Sequence, residues 1–193
     1  MTNLKTIIYL PIVGYRTLRQ RAQHLMTLAG QRGIRVFHVN PHVGTETQFY
    51  AQATSDANVY EVTLKRPPYP GNRMTHEYAL QATMYLQSLI PKGDGKCIIW
   101  VNASYWSPIA IPMKKLNNGN LFLVYDILDV FSEFDDLLPY RDWLLQEHRH
   151  LLNACDLCTY TAKELLSVYP EIRTTAHLHV PNGINIEDFS KKA

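Results

Sequence analysis

Two stretches decide the fold: Leu121-Phe122-Leu123-Val124-Tyr125-Asp126 and, upstream of it, Cys97-Ile98-Ile99-Trp100-Val101-Asn102. Each is an unbroken apolar run that ends on one polar residue. Runs of this kind suit strands covered on both faces, as in a parallel sheet, rather than the in–out alternation of a half-wet antiparallel one. Working outward, similar strands are expected at 6–10, 34–39, 157–160 and 176–180, with a weaker one at 59–64. Between them lie helical patterns at 17–32, 76–90, 139–154 and 162–168. In the first of these Leu18, Ala22, Leu25 and Ala29 recur at three- and four-residue spacing as a buried stripe, and Gly33 stops it. The segment 66–71, with three prolines and a glycine, reads as an ordered surface loop. The expectation is an α/β fold: a doubly wound, mostly parallel Rossmann-like sheet of about seven strands, helices on both faces, with strand 6–10 near its middle.

A chain of 193 residues, 46% hydrophobic and 19% charged, suits one large domain that needs neither metal nor disulfide to hold its core. The formal net charge of +2 is too small to argue for nucleic acid or a membrane surface. No apolar run approaches the roughly 20 residues of a membrane span. The apolar stretch near the N-terminus is too short for a signal-peptide core and reads as a strand. Three cysteines without an export signal point to a reducing compartment, so a cytoplasmic protein is expected.

Ligands of doubly wound sheets bind beyond the carboxyl ends of the strands. The segments to watch are therefore 11–16, 40–44, 102–108, 126–133, Thr161 and 181–185. Within three regions this sequence resembles glycosyltransferase family 4 and its relatives. Gln20-Arg21-Ala22-Gln23-His24-Leu25, then Gly33-Ile34-Arg35-Val36 and Val39-Asn40-Pro41, are similar to that family's opening helix and second strand. Val124-Tyr125-Asp126-Ile127-Leu128-Asp129 resembles its Tyr-Asp-x-x-Asp segment, with Glu147, Ala154-Cys155-Asp156-Leu157 and Thr161-Ala162-Lys163-Glu164-Leu165 as downstream companions. Val180-Pro181-Asn182-Gly183-Ile184-Asn185, followed by Phe189, looks like the signature at the junction of the two lobes. The comparable turn at 102–108 has no histidine where many relatives carry one, so no histidine role is carried over.

The resemblance implies the N-terminal lobe of a GT-B fold glycosyltransferase. Residues 1–181 would form the acceptor-side lobe, 182–193 the start of the inter-lobe linker, with the donor-binding lobe absent. The implied reaction moves a sugar from a nucleotide-diphosphate sugar to a glycan or other hydroxyl acceptor. The donor would be held mainly by the other lobe, with no cofactor, no metal and no nucleic acid, and the full-length enzyme could touch a membrane peripherally. A non-enzymatic Rossmann-type sugar- or protein-binding domain is the rival reading, and a sugar-nucleotide epimerase lobe a third.

Asp126 is the candidate catalytic residue: an acid at a strand end can orient sugar hydroxyls or act as a base toward one. The alternative for Asp126 and Asp129 is helix capping and turn formation. Gly14 and Arg16 are expected to face a diphosphate, the glycine by letting backbone approach and the arginine by a charge-assisted bond, or else to form a plain strand-to-helix turn. Arg21 and Gln23 are two apart on a helix and should diverge, one toward the cleft and the other over the surface. Asn102, Ser104, Asn182 and Gly183 complete the binding set, and Gly14, Asn102, Asp126 and Asn182 are expected along one rim. Tyr105 and Trp106 could stack on a sugar ring or pack in the core. Cys155 and Cys158, with His148 and His150 upstream, have a superficial metal spacing, but the two thiols straddle a helix-to-strand junction and read better as a buried structural pair.

Overall fold

The computed structural model describes residues 4–17, 20–41, 48–65, 74–92, 95–117 and 119–182. The 66–71 loop, Leu18, Gly183 and Phe189 lie outside the described residues. Strands β1 (Leu4–Leu10), β2 (Arg35–Val39), β3 (Tyr50–Ala53), β4 (Val59–Thr63), β5 (Lys96–Val101), β6 (Leu121–Ile127), β7 (Leu157–Tyr160) and β8 (His177–His179) form one sheet in the order β3-β4-β2-β1-β5-β6-β7-β8. Every neighbouring pair is parallel except β3–β4. The sheet is thus the mostly parallel, Rossmann-like one expected, with β1 fourth of eight.

Alternation along β1 sends Ile7 and Tyr9 to one face and Ile8 and Leu10 to the other, and all four are buried. Helix α1 (Arg21–Gln31) covers the first face, packing Met26 against Ile7, Tyr9, Val36 and Val59. On the second face α2 (His76–Ser88), α3 (Ser107–Leu116) and α4 (Arg141–Ala154) close over Ile8, Leu10, Ile99, Val101 and Leu123, with the short α5 (Leu165–Val168) at the β7 end.

Four local features depart from the sequence expectations. Strand β3 was not anticipated; its exposed Tyr-Ala-Gln-Ala has no apolar run, and it exists as the antiparallel edge of β4. Helix α3 was hidden by Pro108 and Pro112; the first sits in the opening turn, where no donor is lost, while the second is carried inside the helix. Helix α1 starts at Arg21 rather than residue 17, because Gln20 and Gln23 close a reciprocal cap there and Gly14 to Thr17 form a turn. Its buried stripe is Gln23, Met26, Thr27 and Gly30 instead of Ala22, Leu25 and Ala29, which are only partly covered. Gly30 fixes that rotation: a Cβ there would stand 2.1 Å from the Ala57 carbonyl oxygen. The helix ends as expected, with Gly33 at φ 81° and paired bonds from Gly33 to Gly30 and from Ile34 to Ala29.

Candidate functional site

The carboxyl ends of β1, β5 and β6 lie side by side, and the backbone N–H of Asn102 donating to Leu10 (3.0 Å) joins the first two. Over them opens a cavity of about 210 Å³, lined by residues that include Tyr9, Ile12, Val13, Gln23, Asn102, Leu128, Asp129, Phe131 and Phe134. Its walls are largely apolar, and its floor is polar. Beneath it lies the Asp126 carboxylate, almost wholly buried. Arg21 Nη1 donates to both of its oxygens (3.2 and 3.0 Å), Asn102 Nδ2 to Oδ2 (3.1 Å) and Thr159 Oγ1 to Oδ1 (2.5 Å). The Thr159 bond follows from register, since Asp126 and Thr159 are partners across β6 and β7. A buried carboxylate survives only with such partners. The side chains of Arg21 and Asp126 are 11% and 4% exposed, so the pair is shielded from solvent.

Arg21 and Gln23 both turn inward, where divergence was expected. Gln23, 2% exposed, donates from Nε2 to the Gly14 carbonyl (3.3 Å) and supports the first loop from below. Arg21 occupies the first helical position, beyond most of the helix's own bulk, and from there reaches over the strand ends. Three buried polar atoms at this floor have no partner: the Tyr9 hydroxyl, Arg21 Nη2 and Asn102 Oδ1.

The remaining candidates are distributed around this centre. Gly14 is buried and serves through its carbonyl. Arg16 does not line the cavity; its Nε pairs with Glu61 (2.9 Å), itself buried on β4. Asp129 lines the rim and accepts from the Val130 N–H (3.1 Å), the turn-forming alternative. Ser104 lies behind, with Tyr125, Ser132, His148 and Tyr169, around a space of about 10 Å³. Asn182 is exposed beyond β8, on the same sheet edge but two strands from β6 and outside the cavity lining. Tyr105 and Trp106 are core residues; Tyr105 Oη and Trp106 Nε1 both donate to the Pro11 carbonyl (3.2 and 2.7 Å), anchoring the loop that roofs the site. The thiols of Cys97, Cys155 and Cys158 are free; burial pushes Cys155 up to about 11, Cys97 to about 12 and Cys158 further still. Among the described residues no group of three or more His, Cys, Asp or Glu is placed to hold a metal ion. Nor is any helix among them long and apolar enough to cross a membrane.

Sequence reasoning reached Asp126, Asn102 and Asp129 through the strand-end rule. It passed over Tyr9, Thr159 and Phe134, and it reached Phe131 only as part of the segment 126–133. Tyr9 carried a faint signal, a hydroxyl one residue before the end of the strand and after the apolar pair Ile7-Ile8.

No family model and no curated protein matches this sequence. Solved structures do match its fold. The chain resembles an α,α-trehalose-phosphate synthase (UDP-forming) from Burkholderia xenovorans in complex with glucose-6-phosphate, with a TM-score of 0.65 and 11% identity, covering 97% of this chain and 51% of that one. Against the corresponding Burkholderia vietnamiensis synthase the TM-score is 0.62 with 14% identity, over 97% of this chain and 49% of that one. Against a trehalose-6-phosphate synthase from E. coli bound with UDP-2-fluoro glucose it is 0.60 with 13% identity, over 98% and 51%. The shared feature is the α/β fold. This chain spans about half the length of each of those proteins.

Proposed function

We propose that this chain is the acceptor-side half of a two-lobed glycosyltransferase that moves a sugar from a nucleotide-diphosphate sugar to a hydroxyl acceptor. The observation that carries the reading is the cavity at the carboxyl ends of β1, β5 and β6, walled by apolar side chains, with Tyr9 and Asn102 in its lining and the Arg21–Asp126 pair behind Asn102, which donates to Asp126. Such a mixture suits a sugar, whose C–H faces take apolar walls while its hydroxyls need a few fixed polar groups. Two of the fold neighbours, bound with glucose-6-phosphate and with UDP-2-fluoro glucose, support the same assignment. The family-4 kinship of the motifs belongs to this proposal as well.

Within that reading Asp126 acts as a positioning residue. Its oxygens already face Arg21, Asn102 and Thr159, which suits it to fixing the floor rather than taking a proton from an acceptor hydroxyl. Transfer in such enzymes is largely orientation plus stabilisation of the leaving diphosphate's charge. This chain would supply orientation of the acceptor, and the other half most of the charge stabilisation.

The test is a transfer assay with labelled uridine-, guanosine-, adenosine- and thymidine-diphosphate sugars and a saccharide acceptor panel. It compares the product of the whole reading frame with residues 1–193 alone. Transfer by the first and none by the second is expected. Transfer by residues 1–193 alone, or by neither protein, would overturn the reading.

A further inference from the structure

Resting on the acceptor-cavity reading, we propose that Asn102 and Arg21 form a clamp that reads a neutral hydroxyl group and discriminates against anions. Asn102 is 1% exposed, and its Nδ2 donates both to the Asp126 main-chain carbonyl (3.3 Å) and to Oδ2 (3.1 Å). Both of those partners are pure acceptors, so the amide cannot be turned round without setting oxygen against oxygen twice. Its Oδ1 is therefore committed as an acceptor, and it has no partner in the protein although Asn102 lines the cavity. Arg21 offers the opposite. Its Nη1 is spent on the same carboxylate, and its buried Nη2 is a pure donor without a partner.

The two orphan atoms belong to groups that meet on one oxygen. Asp126 Oδ2 accepts from Arg21 Nη1 at 3.0 Å and from Asn102 Nδ2 at 3.1 Å. The unpartnered acceptor, Asn102 Oδ1, and the unpartnered donor, Arg21 Nη2, thus belong to two groups tied to the same carboxylate oxygen, and Tyr9, whose hydroxyl is also unpartnered, lines the cavity with Asn102.

This pattern selects by chemistry. A sulfate, phosphate or carboxylate oxygen satisfies Arg21 but sets lone pairs against Asn102 Oδ1. An ammonium group does the reverse. A hydroxyl satisfies both, donating to Oδ1 and accepting from Nη2. The ligand class is a neutral polyol, and the group placed at the floor is one of its hydroxyls. Any phosphate that ligand carries would sit away from the clamp. Leaving a buried donor and acceptor unpaired is unfavourable, so a ligand lacking the hydroxyl is rejected more strongly than a poor fit alone would cause.

The experiment is two-dimensional NMR of the 193-residue chain, following the Asn102 side-chain amide and the Arg21 guanidinium signals. The probes are glucose, mannose, galactose and N-acetylglucosamine, and separately sodium sulfate against sodium chloride at equal ionic strength. At least one sugar should move both side-chain signals, and sulfate should move neither. Removing one particular hydroxyl from the responding sugar should weaken binding by about tenfold or more, and removing the others by less. If a sugar shifts Val13, Leu128 and Phe131 while Asn102 and Arg21 stay fixed, the clamp is wrong and the acceptor cavity stands. If sulfate moves the pair instead, the floor is an anion site and the proposal fails. If no sugar moves any of these signals, the clamp and the cavity reading fall together.

Discussion

His38 and His148 are buried on opposite faces of the sheet, and both are held neutral. Burial lowers His38 to about 3; its ring lies against Tyr9 and Tyr15, and neither nitrogen has a partner. Burial lowers His148 to about 4, opposed by Glu171 and aided by Arg149, while its Nδ1 meets the Tyr125 hydroxyl at 2.8 Å. In the unfolded chain each takes a proton near pH 6.5. Their contribution to stability is therefore complete above pH 6.5 and is lost as pH falls toward 4 and 3, by about 1.4 kcal/mol per pH unit for each group. Urea midpoints measured between pH 6.5 and 5 should fall steadily, and His38→Leu should remove about half of that slope. An unchanged slope in the variant would show that His38 is not held neutral. The sequence disclosed little of this. A histidine inside Val36-Phe37-His38-Val39 signals burial only through its apolar neighbours, and nothing local announces that no donor waits for it. The Arg21–Asp126 pair was equally hidden, because 105 residues separate its members and only the parallel register brings them together.

At the scale of elements, the C-terminal end of α1 approaches the turn before β4 closely. Gly30 makes that approach possible. An alanine there would place Cβ 2.1 Å from the Ala57 carbonyl oxygen and 2.9 Å from Val59 Cγ2, and Asn58 Nδ2 already donates to the Gly30 carbonyl at 3.0 Å. In an exposed helix interior, glycine to alanine gains about 1 kcal/mol. Here the clash is with backbone, which cannot rotate away, and the net effect should be a loss of about 1–3 kcal/mol. Chemical denaturation of Gly30→Ala checks it; a stabilised variant would mean that α1 sits further from the sheet. The element order was legible because apolar strand runs and helical spacing state it directly. Helix α3 and strand β3 were not. Prolines at 108 and 112 read as a stop, and Tyr-Ala-Gln-Ala forms a strand only because β4 offers an unpaired edge.

For the whole molecule, the topology gathers the ends of β1, β5 and β6 into one edge, and that placement was foreseeable from the alternation of strands and helices alone. Which side chains fill the edge was only partly so. Arg16, expected at a diphosphate, is paired with Glu61 of β4, two strands from β1. On the proposed reading, the described residues offer a nucleotide diphosphate the first loop's backbone and the start of α1. Charge-assisted bonds contribute roughly 1.5–3 kcal/mol each before ordering costs, and two of them barely reach the roughly 4 kcal/mol of millimolar binding. Titration calorimetry of the 193-residue chain with uridine, guanosine, adenosine and thymidine diphosphates tests the half-enzyme account most directly. The account predicts no measurable heat at micromolar protein; a clear micromolar isotherm with any of the four would show a self-contained donor site and contradict it.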